Sequence, residues 1–181
     1  MGYLLLAYLS QRDTSPPILL FIVLLGIEWL LYALFLLLAR KSPALPSKAG
    51  IVVWAIIFRL IGLAALPIYE DDYNRFLWDG WVFANYGNPY AQAPFEYRSD
   101  PAVGERMEAI LHSVNYPEVK TIYGPVLELG FLIANTISNG SLTALKFIFL
   151  IPDFVIIFIF LGRGRVRHLA YYAWCPLVVF E

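Results

Sequence analysis

The chain has 181 residues, of which 60% are hydrophobic, 17% aromatic and only 15% charged, and its formal net charge is −1. That balance excludes an ordinary soluble domain and predicts an integral membrane protein, and with no basic excess no nucleic-acid partner is expected. The one cysteine, Cys175, cannot form an internal disulfide and lies in the apolar run AYYAWCPLVVF, where it reads as a small packing residue.

In chain order, residues 1–10 are apolar but too short to cross a bilayer, and they lack the charged leader and cleavage site of a secretory signal. Residues 18–39 form a near-continuous apolar run broken only by Glu28. At about 1.5 Å per residue this run crosses about 30 Å of hydrocarbon. A second span is expected over 49–67, and the linking RKSPALPSK, with Arg40, Lys41 and Lys48, marks a cytoplasmic loop. Residues 68–121 then form a folded extracytoplasmic loop, polar, aromatic and rich in Pro and Gly. Within it a helix is expected over 71–86, ended by NPY at 88–90, and a second over 100–113 after Pro101. The apolar part of 125–138 is short, and a crossing there would put Arg163, Arg165 and Arg167 outside, so an interfacial or re-entrant helix fits better. A third span over 142–161 returns the basic cluster to the cytoplasm, and 169–181 begins a fourth, incomplete one that carries Glu181 toward the outer half of the membrane. The chain therefore reads as the N-terminal portion of one polytopic membrane domain, with no internal repeat.

The chemistry concentrates where the second span gives way to EDDYNRFLWDGWVFANYGNPY, residues 70–90. On a helix, Asp71 and Arg75, and Arg75 and Asp79, are four apart, and Asp72 and Arg75 three apart, so acids flank one arginine on one face. Two interpretations stand: a surface ion-pair ladder with Asp71 as the helix N-cap, or a site for a substrate with a charged head and an apolar tail. Tyr73, Phe76, Trp78, Trp81 and Phe83 surround the ladder and are expected to be anchors at the membrane interface. Glu28, Arg59 and Asp153 lie inside spans, where facing lipid costs roughly 3 kcal/mol each, so they must face protein or water. Arg59 and Asp153 can pair as a structural lock, or Arg59 can bind a lipid phosphate, whereas Glu28 has no evident partner. His112 and His168 show no zinc-ligand spacing, and NGS at 139–141 matches a glycosylation sequon.

These residues carry a family resemblance. Arg59 and Pro67, then Asp71, Asp72, Arg75, Phe76, Leu77, Trp78, Asp79 and Gly80 as DD-x-x-R-F-L-W-D-G, resemble the GT-C membrane glycosyltransferases that take sugar from a polyprenyl-phosphate donor, nearest the bacterial mannosyltransferase-like members. The similarity continues through Gly87 to Tyr90, where the family commonly has one more residue, through Thr121, Ile122, Tyr123, Gly124, Pro125 and Val126, and through Cys175, Pro176 and Leu177. Gly124 and Cys175 depart from the family pattern.

The resemblance implies an all-α integral membrane fold of polytopic transmembrane helices, GT-C-like, whose first extracytoplasmic loop carries juxtamembrane helices. It implies transfer of a hexose such as mannose, with inversion, from a polyprenyl-phosphate sugar to a hydroxyl of a glycan or lipid acceptor, on the outer face of a bacterial cytoplasmic membrane. Asp71 and Asp72 are then candidates for the base, and Arg75, Asp79, Tyr123 and Arg59 for substrate contacts. The resemblance implies no particular cofactor and leaves a divalent cation open, for which Asp71 and Asp72 are the candidate ligands. A transporter or flippase for a lipid-linked or polar substrate, motivated by the charges inside the spans, is the alternative, and a non-catalytic membrane subunit a third.

Overall fold

The computed structural model describes residues 2–12, 16–41 and 46–180. Their regular structure is helical, in the order α1 (Gly2–Ser10), α2 (Ile18–Lys41), α3 (Lys48–Ala64), α4 (Tyr73–Tyr86), a 3-10 turn (Pro94–Tyr97), α5 (Glu105–His112), α6 (Pro125–Ile137), α7 (Leu142–Gly162), α8 (Val166–Ala173) and α9 (Pro176–Phe180). Among the described residues, two helices are long and apolar enough to cross a membrane, over Ile18–Arg40 and Leu142–Gly162.

The sequence predicts four crossings, so two of them need correction. The expected span 49–67 becomes α3, whose 17 residues give only about 25 Å of helix against about 30 Å of hydrocarbon. It stops because Pro67 drives the residue before it out of helical geometry, and Ala65 is already extended. The expected helix 169–181 is broken: α8 ends at Ala173, and Pro176, which has no N–H to continue the ladder, opens α9. Glu181 and residues 42–45 of the basic connection lie outside the described residues. Two such helices among the described residues are too few for the polytopic arrangement that the sequence suggests.

The chain divides into two compact units, Met1–Ile68 with Ile151–Glu181, and Tyr69–Leu150. In the first, Ile51 and Ala55 of α3 pack with Ile157 of α7 and with Leu169, Ala170 and Ala173 of α8. One turn beyond Ala55, Arg59 donates from Nε to Asp153 Oδ2 at 2.9 Å and from Nη2 to Asp153 Oδ1 at 3.1 Å. Its Nη1 donates to the Ala173 carbonyl, and the Tyr172 hydroxyl donates to Asp153 Oδ1 at 2.8 Å. The pairing expected from the sequence is therefore present as a two-pronged fork that joins α3, α7 and α8. At the C-terminal end of α3, the α1 residue Ser10 accepts the Leu66 N–H at 2.9 Å, and Gln11 donates to the Ala64 carbonyl at 2.8 Å, which closes the helix terminus with side chains. Removing one member of the fork strands a buried charge. Asp153→Ala should cost about 3–5 kcal/mol, read as a lower thermal midpoint in detergent, and a midpoint equal to wild type would refute the lock.

The second unit is organised around α4. Its first turn closes with the Asn74 N–H on the Asp71 carbonyl at 3.0 Å and the Arg75 N–H on the Asp72 carbonyl at 2.8 Å. Its end is set one residue before NPY, by Gly87, which adopts φ 74° and donates to the Phe83 carbonyl at 3.0 Å. Trp78, Trp81 and Val82 pack with Tyr97, Met107, Leu111 and Val114, while Leu77 packs with Phe131, Ala134 and Leu145. The interface-anchor expectation thus fails for the tryptophans, since Trp78 is 1% and Trp81 4% exposed. Their rings hold the interior of the unit, 5.1 Å apart, with Tyr97 at 5.7 Å from Trp78. The expected helix 100–113 starts later, at Glu105, because Asp100 Oδ1 accepts the Ala102 N–H at 2.9 Å and holds a turn there.

Helices α4 and α6 touch backbone to backbone at Gly80. A Cβ there would lie 2.7 Å from the Phe131 carbonyl carbon and closer still to its oxygen. Gly80→Ala should therefore push the helices apart at a cost of about 1–3 kcal/mol. Intrinsic tryptophan fluorescence during thermal unfolding checks this, and an unshifted transition would mean the contact is slack.

Candidate functional site

Three pieces of the second unit converge: the start of α4, the connection 115–123, and the first turn of α6. The connection is strapped to α4 and its exit by polar bonds. The Asn115 amide donates to Asp71 Oδ1 at 2.6 Å, Arg75 Nη1 to the Val119 carbonyl at 2.9 Å, and Lys120 Nζ to the Ala91 carbonyl at 2.7 Å. The Tyr90 hydroxyl donates to the Tyr123 carbonyl at 2.9 Å. Tyr116, just before Pro117, sits at φ 49°, a left-handed conformation that a non-glycine residue adopts only where neighbouring bonds impose it.

The acids of the motif separate by depth. Glu70, Asp71 and Asp72 are exposed, and one carboxylate oxygen from each lies within 4.8 Å of the others. Helix α4 begins after Asp72, not at Asp71, and neither the expected Asp71 N-cap nor an Asp72 capping bond forms. Asp71 is instead held by Asn115, and Glu70 Oε1 accepts the Asp72 N–H at 3.0 Å. The remaining oxygens form an all-oxygen donor set, suited to a hard divalent cation or to a hydroxyl proton.

Arg75 and Asp79 lie beneath that edge. Arg75 Nε donates to Asp79 Oδ1 at 2.9 Å and to Oδ2 at 3.0 Å, and both side chains are buried. The acid, base, acid ladder thus reduces to one pair, because Asn115 takes Asp71, and Arg75 turns its Nε to Asp79 and its Nη1 to the Val119 carbonyl. Tyr123 is half-buried, its ring edge-on to Phe76 at 5.0 Å and to Phe131 at 5.8 Å. Arg59 belongs to the first unit, where its fork is taken by Asp153.

One further residue completes the cluster. Glu128, on α6, is fully buried, and its Oε1 lies 2.8 Å from the Thr121 hydroxyl. Burial pushes its carboxyl up to about 7, the nearby Asp79 charge adds to the rise, and Thr121 and Arg75 oppose it. Burial likewise raises the Asp79 carboxyl against the pull of Arg75 and Thr121. Glu128 Oε2 and Arg75 Nη2 are buried without a hydrogen-bond partner among the described residues. A lone glutamate in the apolar stretch PVLELGFLIANTI is the sequence signal for this position.

No family model, curated protein or solved structure matches the chain. The site therefore stands on its own geometry. Arg75→Leu should leave the Asp79 carboxylate buried without a cation, at a cost of about 3–5 kcal/mol. The check is chemical or thermal unfolding of the full chain in detergent, in which an unchanged midpoint would contradict the buried pair.

Proposed function

We propose that the protein is a membrane glycosyltransferase that moves a hexose such as mannose from a polyprenyl-phosphate donor to an acceptor hydroxyl at the outer membrane boundary. The observation that carries the proposal is the exposed carboxylate edge Glu70, Asp71 and Asp72, in a unit whose strap and first α6 turn present Ile122 and Val126, each 81% exposed. Carboxylates beside uncovered apolar side chains suit a substrate with a polar head on an apolar tail. The DD-x-x-R-F-L-W-D-G string supports the same chemistry by resemblance. A polytopic GT-C-like architecture belongs to the same proposal.

In this mechanism the acceptor oxygen attacks the anomeric carbon from the face opposite the phosphate, the bond from that carbon to the phosphate oxygen breaks, and polyprenyl phosphate departs with the electron pair. The hydroxyl proton passes to a carboxylate of the edge. Asp72 is the favoured base, since its carboxylate forms no cap, and Asp71, oriented by Asn115, is the second candidate. A divalent cation held by Glu70, Asp71 and Asp72 would supply positive charge for the leaving phosphate. Arg75 and Asp79 act from beneath as the support of that edge, and Tyr123 borders it.

The test is sugar transfer by the full-length protein in proteoliposomes, with a panel of radiolabelled polyprenyl-phosphate sugars, with and without chelator. Asp72→Asn should lower turnover at least about 100-fold with normal expression, and Asp71→Asn should lower it less. Full activity in both variants would remove the mechanism. Movement of lipid-linked sugar between leaflets without transfer would replace the enzyme with a transporter.

A further inference from the structure

We infer that Glu128 is a neutral, proton-holding positioning residue that fixes the 115–123 strap through one buried chain of hydrogen bonds, from Glu128 to Thr121 to Asp79 to Arg75. The Thr121 hydroxyl has a single hydrogen, yet it lies within hydrogen-bonding reach of two carboxyl groups, Glu128 Oε1 at 2.8 Å and Asp79. Asp79 takes Arg75 Nε on both oxygens and is the natural anion of the cluster. If both acids were ionised, one carboxylate would face the hydroxyl oxygen with no hydrogen between them, and two buried negative charges would share one guanidinium. With the proton on Glu128, the carboxyl donates to the Thr121 oxygen, Thr121 donates to Asp79, and Asp79 and Arg75 cancel.

The charged and titratable groups bearing on Glu128 are Asp79 and Arg75 of α4 and the Tyr90 phenol after it. The upward displacement of the Glu128 carboxyl to about 7 agrees with this arrangement. The native state binds this proton more tightly than the unfolded chain, so its contribution to stability is complete below the ordinary glutamate value of about 4.5 and is lost as pH rises through about 7. The strap that Thr121 anchors also carries Asn115, which holds Asp71. Ionising Glu128 therefore loosens the acidic edge, a consequence that rests on the transferase proposal, whereas the protonation itself does not.

The experiment is infrared spectroscopy and thermal unfolding of the full chain in lipid nanodiscs, well below and well above pH 7, for wild type, Glu128→Gln and Thr121→Val. Neither readout depends on sugar transfer. Wild type should show a protonated carboxylic-acid band at the lower pH that fades at the higher one and is absent from Glu128→Gln. Its thermal midpoint should fall across the same interval by roughly 5 °C relative to Glu128→Gln, which keeps a neutral donor in place. Thr121→Val, which removes the middle hydroxyl at nearly constant shape, should shift the band. A band unchanged in Glu128→Gln would show that Glu128 does not hold the proton, a midpoint gap between the two proteins that is the same at both pH values would show that it does not titrate between them, and either overturns the inference. If the glutamine variant does not fold, a band that Thr121→Val leaves unmoved overturns it alone.

Discussion

A guanidinium and a carboxylate buried side by side, Arg75 and Asp79, constrain the rest of the second unit. Both lie on α4, one turn apart, and neither is tolerable in an apolar interior without the other. Their burial in turn depends on Gly80, the next residue, because only a missing side chain lets the Phe131 backbone of α6 come close enough to close the interior over them. Arg75 donates a further N–H to the Val119 carbonyl, so the same ion pair that is forced inward also pins the 115–123 strap. Packing, charge neutralisation and loop placement are here one event.

The first unit repeats the principle with different parts. Arg59 reaches across from α3 to Asp153 on α7 and to the Ala173 carbonyl at the end of α8, where Pro176 is about to break the chain direction. Carbonyls near a helix end lack their helical donors, and a guanidinium with several N–H groups in one plane can serve both an acid and such a carbonyl. This occupation leaves the Arg59 fork directed at protein groups, which weakens the case for Arg59 as a phosphate ligand.

Depth divides the acids of one short motif into two kinds. Asp71 and Asp72 precede the helix and stay in solvent, available to a proton or a cation, whereas Asp79, two turns on, is locked to Arg75. Thr121 and Glu128 join the locked group from a different part of the chain. The exposed edge and the buried network share the strap through Asn115 and Thr121, so the geometry of one is tied to the protonation of the other.

Much of this architecture is legible in the order of the residues. The apolar runs that form α2 and α7, the short helix α6, the Arg59–Asp153 pair and the i, i+4 spacing of Arg75 and Asp79 all follow from length, hydropathy and helical periodicity, which are local properties of the chain. Other features depend on what lies opposite. Trp78 and Trp81 look like interface anchors until Tyr97, Met107 and Leu111 cover them, and a terminal apolar run looks like a span until it breaks at Pro176. Glu128 shows in the sequence only as a lone acid in an apolar stretch, because its role comes from Thr121, seven residues away, and Asp79, on another helix. The sequence by itself determined which segments are helical and which charges must find partners, since those follow from composition and period. The tertiary structure alone decided which carboxyl groups share a buried space, because desolvation and hydrogen-bond competition depend on burial and distance, and neither is written in residue order.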